Sequence, residues 1–99
     1  MVQPKKRTFA QKKADAADAA SLAVVTELRS VMQFVLQNRT NVTPDVIRIM
    51  SNKLSEVTRI VNRFAHDYKG NNDQHRHTLM LIGIHRVFQN IRNSYDMFN

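Results

Sequence analysis

The sequence predicts an all-α protein, an elongated antiparallel three-helix bundle with a flexible basic N-terminal arm. Three observations carry that expectation. Apolar residues recur at helical spacing in three long stretches parted by two short polar turns. Glycine and proline are scarce, two of each in 99 residues, which argues against many short strands and against a glycine-rich phosphate loop. The length and an ordinary composition, 42% hydrophobic and 23% charged, suit one small domain, residues 14–99, behind an arm of residues 1–13.

The first helix is expected at about 9–38. Ala17, Ser21, Val24, Leu28, Val31 and Val35 step by four and three residues and define one face. Val25, Met32 and Leu36 widen that face on one side, and Ala16, Ala20, Ala23 and Phe34 on the other. The polar arc is narrow: Asp15, Thr26, Arg29, Gln33 and Gln37. A helix apolar over more than half its circumference needs neighbours on two sides. Its alanines let another backbone approach closely, or simply extend a well-propagating helix.

The second helix is expected at about 44–69. Thr43 is a good N-cap, Pro44 fits the first helical position, and Asp45 complements the dipole of the first turn. Ile47, Met50, Leu54, Val57, Val61, Phe64 and Tyr68 then form an unbroken stripe, and Gly70 is the expected C′ residue. The third helix is expected at about 73–98, with Asp73 as N-cap and a stripe of Met80, Ile84, Val87, Ile91, Tyr95 and Phe98. Leu81 and Phe88 broaden the stripe, and Gly83 marks either a close crossing or nothing in particular. Helices of this length span roughly 40 Å each, and short turns make neighbours antiparallel.

The formal charge is +7, of which five positive charges, Lys5, Lys6, Arg7, Lys12 and Lys13, stand in residues 1–13 without an acid. Lysines and arginines on such an arm neutralise phosphates without sequence choice; the arm is otherwise a solubilising tail. Pro4-Lys5-Lys6-Arg7 also has the form of a short nuclear-import run. A second basic row lies on the second helix, where Arg48, Asn52, Ser55, Arg59, Arg63 and His66 fall on one face opposite the apolar stripe. The row contains no acid, with Glu56 at its flank, and its residue types hydrogen-bond phosphates. Phe9, between Arg7 and Lys12, is the one aromatic placed to stack on a base, or else it staples the helix start.

Other chemistry has little support. The chain has no cysteine, so disulfides, thiolate metal sites and a cysteine nucleophile are excluded. His75 and His77 flank Arg76, but a third metal ligand at a useful spacing is missing, and both read as solvent-exposed. No paired carboxylates suit acid–base work, and no catalytic residue, metal or cofactor is expected. No uninterrupted apolar run exceeds Leu79 to Ile82, so no membrane span is expected, and the chain reads as intracellular rather than secreted.

The leading expectation is a non-enzymatic, largely sequence-independent nucleic-acid-binding protein acting as a homo-oligomer, in a packaging, coating or architectural role such as a virus or mobile element requires. The alternative is a protein-interaction module, an adaptor, inhibitor or assembly subunit, that docks a partner through Val25, Met32, Phe34, Leu36, Leu81 and Phe88. Exposed Ile82 and Met97 add to the case for self-association. A remote alternative rests on two residues: Arg59 and His66, seven apart on one helix, resemble the Arg…His pair of the HEPN ribonucleases. That resemblance implies cleavage of an RNA phosphodiester at a dimer cleft; Ile60 departs from the polar residue that the family places after the arginine.

Overall fold

A computed structural model of the chain describes residues 8–98 as three helices, α1 (Phe9–Gln37), α2 (Pro44–Asp67) and α3 (Asp73–Phe98), each packed against the other two. Among the described residues there is no strand. Lys5, Lys6 and Arg7 lie outside them. Phe9 to Lys13, which the sequence assigned both to the arm and to the start of the first helix, form the first turns of α1.

Local chemistry explains the helix starts. Thr8 caps α1 with its hydroxyl on the Gln11 amide, and the Gln11 side chain returns to the Thr8 amide, closing a capping box. Thr43 caps α2 by accepting from the Val46 amide at 3.1 Å, with Pro44 behind it as the first helical residue. At α3 the expectation is corrected. Asp73 is the first helical residue rather than the cap, and Asn71 Oδ1 accepts from its amide at 2.9 Å. The end of α2 is also earlier than expected: the helix stops at Asp67, Tyr68 closes it, and Gly70 supplies the left-handed turn at φ +82°.

The core runs the length of the three helices. Val24, Leu28, Val31 and Val35 of α1 meet Met50, Leu54, Val57, Val61 and Phe64 of α2 and Ile84 and Phe88 of α3. Along α1, Ala20 and Val24 share a groove with Phe64 and Tyr68 of α2, whereas Phe34 lies beneath Lys53, whose ammonium stands 4.9 Å from the ring centre. Numbers therefore rise on α1 as they fall on α2. Ser21 faces His77 and Met32 faces Gly83, so α1 and α3 rise together.

One core position departs from its expected surroundings. His77 is fully buried, its Nε2 2.9 Å from Ser21 Oγ and its ring set edge-on to Phe64 at 4.6 Å between centres. It lies one heptad before Ile84, so it continues the α3 stripe into the polar-looking His75-Arg76-His77 segment. Burial pushes its imidazole below the ordinary histidine range; nearby Asp73 opposes that and Arg76 adds to it.

Candidate nucleic-acid interface

The basic row on α2 forms because Arg48, Asn52, Ser55, Arg59, Arg63 and His66 point away from a face that buries Met50, Leu54, Val57, Val61 and Phe64. All six are exposed. The row is not free of acids in space, however. Arg48 Nη2 stands 3.6 Å from Asp45 Oδ1, Arg59 Nη1 3.4 Å from Glu56 Oε2, and Arg63 Nε 3.7 Å from Asp67 Oδ2. His66 Nδ1 lies 3.2 Å from the other Asp67 oxygen. The three- and four-residue spacings put these carboxylates on the flank of the row. Such exposed pairs are worth roughly 0–1 kcal/mol, so a phosphate can displace a carboxylate, but the acids reduce the field the row presents.

The second basic group stands at the start of α1. Lys12 and Lys13 are exposed, and Phe9, three and four residues before them on the same side, is 84% exposed. No acid precedes Asp15. An aromatic face beside two ammonium groups is the arrangement that takes a stacked base and its phosphates.

Arg59 and His66 are not brought to one point. They lie about 10 Å apart along the α2 axis, and each engages its own carboxylate. His75, which sequence reasoning paired with His77, is exposed while His77 is in the core, so the two diverge; no group of three metal-ligating side chains occurs among the described residues.

The residues expected at a partner surface separate into three kinds. Val25 and Phe88 are buried within the single chain, a correction to their expected role, because neither has surface left for a partner. Met32, Phe34 and Leu81 are half-buried against that core, and Leu36 is exposed. Two shallow apolar grooves flank α1. One, about 700 Å³, runs past Ala20, Leu22 and Ala23 to Ile60 and Tyr68; the other, about 560 Å³, passes Met32, Leu36, Met80 and Gly83.

Sequence reasoning missed the outer side of α1, where Leu22 is 65% exposed. Helix α1 is also long and apolar enough, by length and composition, to cross a membrane: its most apolar 18-residue window has mean hydropathy 1.4, and a third of that window is buried. The short-run criterion overlooked this because single polar residues such as Ser21, Thr26, Ser30 and Gln33 break the runs while the alanines, valines and leucines between them hold the average up.

No protein-family model, curated protein or solved structure matches the chain.

Proposed function

We propose that this chain is an elongated, antiparallel three-helix bundle that binds the nucleic-acid backbone without sequence choice, as a homo-oligomer and without catalysing a reaction. The observation that carries this reading is the exposed Phe9, Lys12 and Lys13 group on the first turns of α1, with no acid ahead of it. The arginines of α2 add a second stretch of phosphate contact through pairs weak enough to exchange. Lys5, Lys6 and Arg7 extend the first group along the chain. Base stacking on Phe9 and counterion release from the lysines require no particular sequence.

Titration of labelled duplex and single-stranded DNA at several salt concentrations tests it. The logarithm of affinity should fall linearly with the logarithm of salt, with slope about −0.9 per phosphate neutralised on duplex. Replacing Lys12 and Lys13 by alanine should reduce that slope by about two, and Phe9→Ala should weaken the single strand more than the duplex. Affinity unaffected by salt, or no binding at low salt, overturns the proposal. The interaction-module reading is favoured by the two apolar grooves beside α1; it gains if Leu36→Lys abolishes capture of a protein partner while Lys12→Ala does not.

A further inference from the structure

The outward side of α1 is unlike the outer side of either neighbour. Ala19, Leu22, Ala23, Thr26, Ser30 and Gln33 form an exposed ridge about four turns long without a charge. The one hydroxyl at its centre needs no water, because Thr26 Oγ donates to the Leu22 carbonyl at 2.9 Å. Covering Thr26 therefore strands no donor, and the remaining polar groups, Ser30 and Gln33, lie toward one end of the ridge. The charges stand on the flanks instead. Asp18 and Arg29 are exposed and eleven residues apart, three helical turns, so they share one flank of the ridge.

That placement makes the ridge self-complementary in one orientation. We infer that α1 packs antiparallel against α1 of a second copy about a two-fold axis that crosses the ridge between Ala23 and Val24. In an antiparallel pair each flank meets the same flank of the other helix. Asp18 then stands opposite Arg29 of the partner subunit, and Arg29 opposite Asp18 of the partner subunit, so one favourable pairing occurs twice. Asp15, one turn before Ala19, ends the uncharged stretch of the ridge. A parallel pairing would instead set this flank against the opposite one, bringing Arg29 to the Glu27 side of the other helix and leaving Asp18 facing alanines. A lipid surface covers such a ridge less well, since Asp18, Glu27 and Arg29 border it in mid-helix, where hydrocarbon would have to accept them. Small side chains let the two backbones approach, and Leu22 from each copy enters the contact from one flank. The inference supplies the oligomer contact of the function proposed above and rests on that reading only for the self-association it requires. Phe9 and Lys13 stand beside the contact at its two ends, and Lys12, one heptad before Ala19, falls on its line.

The chain has no cysteine, so engineered thiols report without background. Ala23→Cys, nearest the axis, should oxidise to a linked homodimer. Ala16→Cys and Ser30→Cys should each stay unlinked alone and link to one another when mixed. Sedimentation equilibrium of the full chain should show a dimer that Ala23→Arg disrupts with the helical circular-dichroism signal retained. Asp18→Arg should weaken the dimer by about tenfold, and adding Arg29→Asp should restore it. Self-linking of Ala16→Cys and Ser30→Cys, a wild-type monomer, or a charge-swapped pair that stays weak each overturns the inference, as does flotation with anionic liposomes in place of a dimer. Duplex binding measured on the same samples separates the two claims. A monomer that binds duplex removes the interface alone, and a dimer that ignores duplex removes the nucleic-acid reading alone.

Discussion

Helices α1 and α2 have nearly the same inner faces and very different outer ones. Both bury a row of valines and leucines in the common core. Outside, α2 presents arginines, each held by a carboxylate three or four residues away. α1 presents Ala19, Leu22, Ala23 and Thr26, with no charge among them. Charges that pair along their own helix make a surface that is complete in water. An uncharged outer ridge beside a buried inner face leaves little charge between the two on α1. The inner stripes are alike because the fold uses them alike, whereas the outer faces differ in how charge is spread over them.

The largest test of this contrast compares two leucines six residues apart on α1. Leu28 is fully buried, so Leu28→Ala should lower stability by about 2–5 kcal/mol in chemical denaturation. Leu22→Ala should change monomer stability by only about 0.5 kcal/mol. Equal losses at the two positions would mean that the outer face of α1 is covered within the single chain.

A smaller effect belongs to the Ser21–His77 pair, which joins α1 to α3. Ser21→Ala leaves the buried ring nitrogen without its partner and should cost about 1–3 kcal/mol. The same pair sets an acid limit. Because His77 is held neutral in the fold, the unfolded chain takes up its proton first, near pH 6.5. Its contribution is therefore complete above that pH and is lost as the pH falls through it toward the lower folded value. His77→Gln should flatten this part of the stability profile, and an unchanged profile would show that other groups govern it.

Gly83 provides a test of opposite sign. A Cβ there would meet Met32 Cε at 3.9 Å, an ordinary contact, and the backbone is helical. Gly83→Ala should raise stability by about 1 kcal/mol, read as a higher midpoint of unfolding. The smallest effect is expected on α2, where Arg59→Ala should alter stability by less than about 0.5 kcal/mol, because its pairing with Glu56 is exposed. A larger loss would mean that the arginine row supports the fold as well as any ligand.

Much of the architecture was legible because its causes are local. Thr43-Pro44-Asp45 specifies a helix start within one turn, and the stripe from Met50 to Phe64 follows from helical geometry alone. The helix ends were less legible: Asp73 resembles a cap by composition, but it is already helical, and Asn71 two residues before it accepts its amide proton. His77 was misread because its neighbours are polar, although its heptad distance from Ile84 was the signal for burial. The acidic partners of Arg48, Arg59 and Arg63 stood at legible spacings as well, and counting only residues inside the row concealed them.

By itself, then, the sequence determined three helices, the stripe each buries, and where positive charge accumulates, since periodicity, capping and composition act over a few residues. Tertiary structure decided which apolar residues were already spoken for. Val25, Leu22 and Leu36 belong to one helix and one hydrophobic class, yet Val25 is buried while Leu22 and Leu36 face outward. That division depends on how α2 and α3 seat against α1, a long-range packing outcome that no local pattern contains.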